Sequence, residues 1–329
     1  MTTATVNSVT GPIPVEDLGV TLMHEHILIG YPGWEADTLH PGPSRKEMIA
    51  IAIDKIQSMQ AQGIQSMLDP CPNDLGRDVT LAAEVSSKTG FTIICATGLY
   101  KQNEGGAPHW HFQRSIGKGV ENMAELFIHE LTEGIGNTGI KAGIIKVATG
   151  EGEITDYEYD IFAAAAIAAL ETGAPITTHT DQGTMGEEQQ AFLVEKGVAP
   201  HKIIIGHSCG SDDHNYHMNI LGKGSYLGFD RFGLDILFPD EQRIDSLVAL
   251  LAKQQENRIV VSHDSVWCTR GEPFPAEMLA MMDTDKLFNP THFHRNIIPS
   301  LLERGVTQAQ IDTMLIDNPR RFFAGENCA

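Results

Sequence analysis

Polar residues at the ends of short apolar runs form a set with the chemistry of a metal centre. His24 and His26 flank Glu25 just after Val20–Met23, and Lys146 lies inside Gly-Ile-Ile-Lys-Val-Ala. His179 closes Ile-Thr-Thr-His, His207 closes Ile-Ile-Ile-Gly-His, and Asp264 follows Val-Val-Ser-His. Residues i and i+2 of a strand share a face, so His24 and His26 can offer two imidazoles to one ion while Glu25 points away. Lys146 is out of place, because a bare ammonium in an apolar strand is costly unless it is paired or deprotonated. A deprotonated amine can capture CO₂, and the carbamate formed is an anion whose two oxygens can bridge two cations. The competing reading is a buried ion pair or a lysine snorkelling from the strand end. Singly, each histidine reads as a hydrogen-bonded strand-end residue. Asp264 has the stronger functional reading, since structural acids favour caps and turns. Together, four histidines, one aspartate and one convertible lysine supply a binuclear site. Nitrogen and oxygen donors without thiolate suit Zn²⁺, Mn²⁺, Co²⁺ or Fe²⁺. The other histidines, among them His40, His109, His111, His214, His217, His292 and His294, take surface or loop roles by default.

These residues need a scaffold that aims them at one place. Eight short apolar runs recur along the chain: Val20–Met23, Ile64–Leu68, Thr92–Ala96, Gly143–Ala148, Ile176–His179, Ile203–Gly206, Tyr226–Gly228 and Ile259–Ser262. Segments of helical periodicity lie between most of them, including Ser44–Gln62, Asp156–Glu171, Glu187–Lys196 and Asp240–Gln255. Strands alternating with helices imply parallel pairing with right-handed crossovers. The count predicts a single (β/α)₈ TIM barrel over residues 1–329, in which every strand C-terminus opens on one face. The rival is a doubly wound open sheet. It usually carries a glycine-rich fingerprint after its first strand, and none follows Val20–Met23. Two long stretches, Gly98–Glu121 and Trp267–Asn296, read as irregular loops that shape a pocket. The first carries Tyr100, Gly105-Gly106, His109, Trp110 and His111.

Composition narrows the function classes. The 329 residues hold 43 acids against 23 bases, a formal net charge of −20. That argues against nucleic acid, whose phosphates need clustered Lys and Arg, and against an anionic membrane surface. The longest apolar run, Ile161–Leu170, falls far short of the roughly 20 residues that span a bilayer. The start of the chain shows no basic and apolar signal pattern. Five scattered cysteines (Cys71, Cys95, Cys209, Cys268, Cys328) form no disulfide framework and no zinc-finger spacing. A cytoplasmic location is expected.

The ordered motifs resemble the amidohydrolase superfamily and, within it, the phosphotriesterase family. They run from Gly-Val-Thr-Leu-Met-His-Glu-His (19–26) through Ala-Thr-Gly-Leu-Tyr (96–100) and Gly-Ile-Ile-Lys-Val-Ala-Thr (143–149). Thr-His-Thr (178–180), Ile-Gly-His-Ser (205–208), Leu-Gly-Phe-Asp-Arg-Phe-Gly-Leu-Asp (227–235), Ser-His-Asp (262–264) and Asn-Pro-Arg-Arg-Phe (318–322) complete the set. The resemblance implies that His24, His26 and Asp264 hold a more buried metal and that His179 and His207 hold a more exposed one. It implies that carboxylated Lys146 and a hydroxide bridge the two. Phe229–Leu234 looks like the lactonase branch, with Arg231 where the triesterases usually carry histidine. Tyr100 looks like the tyrosine that leans over the metals in lactonases. The loops around His109-Trp110-His111 and Trp267-Cys268-Thr269-Arg270 match no lactonase loop. The resemblance also suggests a homodimer.

The expected activity is hydrolysis of lactones or related carboxylic esters, with weak promiscuous action on phosphotriesters. Two dications lower the pKa of a bridging water and polarise the scissile carbonyl. Asp264 accepts a proton and returns it to the leaving alkoxide. Tyr100 orients the substrate, or is a plain rim aromatic. Arg231 anchors its polar edge, or is an ion pair with Asp230 or Asp235. Asp213 is a candidate supporting partner behind the ligands, against a reading as a plain loop acid. A dedicated phosphotriesterase and an amide-bond hydrolase are the alternative enzymes. A metal-stabilised binding protein is the non-catalytic alternative.

Overall fold

A computed structural model describes residues 4–104, 106–272, 274–281 and 284–327; Gly105 and Cys328, named above, lie outside them. The chain opens with a hairpin that the apolar runs did not announce, β1 (Thr5–Ser8) and β2 (Gly11–Pro14). All eight expected runs then appear as strands. These are β3 (Thr21–Leu22), β5 (Ser66–Asp69), β6 (Thr92–Gly98), β7 (Ile144–Ala148), β8 (Ile176–His179), β9 (Ile203–Ile205), β10 (Tyr226–Phe229) and β11 (Ile259–Val261). They pair in parallel in sequence order, and the first and last meet where Met23 N–H donates to Val261 O at 3.4 Å. Above this seam the two strands resume as a second parallel pair, β4 (Glu25–Ile29) with β12 (Ser265–Thr269), in which Glu25 lies opposite Ser265. The architecture is a (β/α)₈ barrel.

Strand alternation sorts the core into two clusters. Ile145 and Val147 face outward and pack with helix residues such as Met48, Ile56 and Phe162. Ile144 faces inward with Leu68, Ile94, Ala96, Ile204 and Val260, and the hairpin residue Val6 plus Leu18 close this layer from below. Lys146 has the parity of Ile144, so it rises from the same inner face toward the strand C-termini. The expected helices form at Arg45–Gln60, Asp156–Thr172, Gly186–Glu195 and Asp240–Ala252. Ser44 and Thr155 each close a capping box with the glutamate three residues on, which fixes where the first two begin.

The two stretches read as irregular are partly ordered. Gly98–Glu121 contains a helix, Pro108–Ser115, started by proline at its first position. Trp267–Asn296 begins as part of β12, because Val266 and Cys268 register against His26 and Leu28. The four described cysteines are buried and unpaired. No helix among the described residues is long and apolar enough to cross a membrane.

Gly98 shows how tightly this end of the barrel is built. It adopts φ +128°, and an added Cβ would lie 1.8 Å from the Lys146 carbonyl oxygen. Gly98→Ala is therefore expected to cost more than about 2 kcal/mol, from both backbone strain and displacement of the strand that carries Lys146. Urea unfolding of the purified variant measures it.

Candidate metal centre and active site

The C-terminal ends of the strands converge on a cavity of about 400 Å³ whose floor is His24, His26, Lys146, His179, His207 and Asp264. His24 Nε2 lies 3.4 Å from Asp264 Oδ1 and 3.4 Å from Lys146 Nζ. His26 Nε2 lies 3.3 Å from the same Asp264 oxygen, and His207 Nε2 lies 3.7 Å from Asp264 Oδ2. His179 sits beside His207, with ring centroids 4.6 Å apart, and Tyr100 Oη lies 3.4 Å from its Nδ1. The structure thus brings together all six residues singled out as metal ligands.

Three of the four rings are held from behind by hydrogen bonds. Asp230 accepts from His24 Nδ1 at 3.0 Å and from His207 Nδ1 at 2.9 Å, one ring on each oxygen, and also takes the His207 backbone N–H. Asp181 receives His179 Nε2 at 2.6 Å and is itself held by Lys101 at 2.6 and 2.8 Å. Asp69 lies 3.3 Å from His26 Nδ1. These carboxylates set the tautomers. With Nδ1–H directed at Asp230, the Nε2 lone pairs of His24 and His207 face the cavity.

The electrostatics suit a cation in that space. Burial, reinforced by nearby positive charge, lowers His24, drives His179 well below the usual imidazole range and brings His207 to about 3, so these rings are neutral donors. Burial opposes charge on Asp264, but His207, His24 and Arg231 around it hold its carboxyl well below the ordinary value. His26 runs the other way. Burial would lower it, yet the Asp264 and Asp69 carboxylates beside it raise it well above normal. Burial lowers Lys146 to about 8. Imidazole lone pairs and an ionised carboxylate facing one another at 3.3–3.7 Å are the donor set of a divalent ion.

Two of these residues occupy the left-handed region, His207 at φ +56° and Asp264 at φ +55°. Such angles cost non-glycine residues on the order of 1 kcal/mol and cluster at functional sites. Here they end β9 and β11 and turn each side chain across the cavity floor.

Several expectations need correction. Asp213 supports no ligand: it is an exposed helix cap accepting from Asn215 N–H at 2.8 Å. Arg231 pairs with neither Asp230 nor Asp235. Its Nε donates to Asp264 Oδ2 at 2.9 Å, because Asp230 is taken up by histidines and Asp235 accepts from Lys286. His217 and His292 are buried, the first donating to Ser208 O and the second tied to Asp240. His109 and His111 turn away from the cavity, and His111 stacks on Tyr157 with centroids 4.5 Å apart. Asp69, Asp181, Asp230 and Lys101 were not singled out. A usable signal was present for the three acids, which end or closely follow strands: Asp69 after Leu68, Asp181 two residues past His179, Asp230 after Phe229.

The depressed Lys146 has a consequence for the metal-free chain. Folded Lys146 releases its proton near 8, whereas the unfolded side chain holds it to about 10.4. Between those values the unfolded state binds more protons, so stability rises with pH. Through this window Lys146 contributes an increase of about 3 kcal/mol, and Lys146→Met is expected to flatten the rise in urea titrations of chelator-treated protein.

The comparisons with known proteins bear on family and fold. Residues 4–323 match the model of the phosphotriesterase family. A phosphotriesterase homology protein of Mycobacterium tuberculosis is 36% identical over 322 residues, covering 97% of each chain. An organophosphorus hydrolase from Deinococcus radiodurans superposes with a TM-score of 0.93 at 38% identity, over 98% of this chain and 97% of that one. A structure described as organophosphate hydrolysis engineered from a weak promiscuous lactonase template matches at 38% identity and TM-score 0.92, over 97% and 99%. Agreement over nearly the whole length, in sequence and in fold, places the chain in the phosphotriesterase family of hydrolases.

Proposed function

We propose that the protein opens lactones, or related carboxylic esters, bearing one apolar substituent. The carrying observation is that the apolar lining gathers on one arc of the barrel rim. The segments that follow the last two and the first two barrel strands give Leu237, Phe288, Ile29 and Leu75, whereas those that follow β6, β7 and β8 give Lys101, Glu104, Glu151 and Asp181. A planar cyclic ester projects its substituent in one direction and fits that asymmetry. A phosphotriester projects three ester arms from a tetrahedral centre and matches a one-sided apolar lining less well. The similarity to a lactonase template supports the same reading.

His24, His26 and Asp264 would hold one divalent ion, His179 and His207 a second, and Lys146 as a carbamate would join them. The neutral Lys146 amine would add to CO₂ with loss of one proton. When bound, such ions lower the pKa of water and polarise an ester carbonyl. Arg231 pairs with Asp264 through Oδ2, and the Asp264 carboxylate takes the proton of the attacking water and passes it to the leaving alkoxide. The Tyr100 hydroxyl, above His179, donates to the substrate and orients it. Burial holds that phenol well above its ordinary pKa, so it remains a donor through the neutral range.

Hydrolysis of a panel of lactones, aryl esters, N-acyl amides and paraoxon checks the reading. Lactones with one alkyl chain are expected to give kcat/KM at least tenfold above the triester. Equal or reversed efficiencies refute the preference. Lys146→Ala is expected to lose bound metal and more than 99% of activity, a loss on the scale of removing a group that acts directly on the transition state. Short carboxylic acids, which mimic the carbamate, are expected to restore part of it. Full activity in that variant excludes the bridging role.

A further inference from the structure

The seam between the first and last strands has an unusual bond pattern. Backbone pairing runs up to Met23 and Val261 and resumes between β4 and β12. In between, Asp264 turns into the left-handed region, and the regular ladder is interrupted, keeping the one backbone bond from Asp264 N–H to His24 O. The backbone N–H groups of His263 and Ser265, on either side of Asp264, are buried there and need acceptors.

One side chain supplies them. Glu25 is 0% exposed and faces away from the cavity between His24 and His26. Its Oε1 accepts from Ser262 Oγ at 2.7 Å, His263 N–H at 3.0 Å and His263 Nδ1 at 2.6 Å. Its Oε2 accepts from Ser265 N–H at 3.3 Å and from Ser265 Oγ. The His263 tautomer is set by its other nitrogen, since Nε2 accepts Phe293 N–H at 2.8 Å and leaves the proton on Nδ1, aimed at Glu25. Ser262 extends the grip, because its Oγ also accepts His24 N–H at 3.0 Å. Asp264 N–H in turn reaches His24 O at 3.0 Å.

We infer that Glu25 is a positioning residue: by gripping His263 and Ser265 on both flanks of Asp264, it imposes the left-handed turn that aims the Asp264 carboxylate at the same ion as His24 and His26. Strand alternation makes this possible. The segment that sends two imidazoles into the cavity sends the carboxylate between them into the seam, where the His263 and Ser265 backbone N–H groups donate to it instead of to a ladder carbonyl. Five donors on one carboxylate match its lone-pair capacity closely. A glutamine in its place has one acceptor oxygen, and its amide hydrogens would oppose the Ser265 or His263 donors.

The inference rests on the metal reading above but not on any substrate. The test is Co²⁺ titration of chelator-treated full-length protein, followed by calorimetry and by the visible spectrum of the bound ion. Wild type is expected to take two Co²⁺ per chain. Glu25→Gln is expected to keep one site unchanged and weaken the other roughly 10–100-fold, the range for loss of a group that orients a ligand. Glu158→Gln is the control. Glu158 is almost as buried but caps a helix remote from the seam, and its variant is expected to lose stability while binding the ion of His24, His26 and Asp264 as wild type does. Ser265→Ala removes a single donor from Glu25 and covers the case in which Glu25→Gln does not fold; it should weaken the same site severalfold with an altered spectrum. If wild type binds fewer than two Co²⁺, the metal reading falls and this proposal with it. If wild type binds two and both Glu25→Gln and Ser265→Ala bind as wild type, or if Glu158→Gln loses the same site, the positioning role alone is overturned.

Discussion

Asp230 carries the constraint on which the site depends. It is almost wholly buried, and it accepts one imidazole proton on each oxygen, from His24 on the first strand and His207 beyond the sixth. Burial alone would raise its carboxyl. The two histidines outweigh that and hold it well below the ordinary range. A charge in such a place is tolerated because it is fully hydrogen-bonded. Its effect is directional: both rings are locked with lone pairs toward the cavity, and two strands far apart in sequence are fixed at one height.

The same logic recurs around the floor. Asp181 with Lys101 stands behind His179, Asp69 behind His26, and Arg231 beside Asp264. The four histidines and Asp264 thus each have a group of opposite character behind or beside them. The left-handed angles at His207 and Asp264 fit this picture. Local strain persists only where surroundings over-determine it, and here the surroundings are buried carboxylates with filled hydrogen-bond capacity.

Charge is organised on two scales. The chain as a whole is strongly acidic, with a formal net charge of −20. Inside the cavity the balance changes. Arg231 and Lys101 sit among carboxylates, and apolar side chains such as Leu75, Leu237 and Phe288 share the lining. Net charge therefore says little about the substrate, while the one-sided lining says a good deal about its shape.

Much of the fold was legible in the sequence. Eight apolar runs of strand length, separated by helical periods, lead to the barrel, because strand and helix periodicities are local properties of the chain. The ligand candidates were legible for a related reason: polar residues at the ends of apolar strands are anomalous, and Lys146 inside one most of all. What escaped local reading is what depends on pairs far apart in the chain. Asp230 could be seen beside Arg231, yet its partners lie 206 and 23 residues away. Glu25 looked like a bystander between two histidines until the seam with residues 262–265 was closed. Helix caps were local too, and so Asp213 was an ordinary cap rather than a support. The sequence by itself determined the barrel, its open face and the residue types on that face. Only the tertiary structure decided which acid serves which ring and which side of the cavity is apolar. Hydrogen-bond partners and pocket walls are set by barrel closure, and closure joins residues that no local pattern connects.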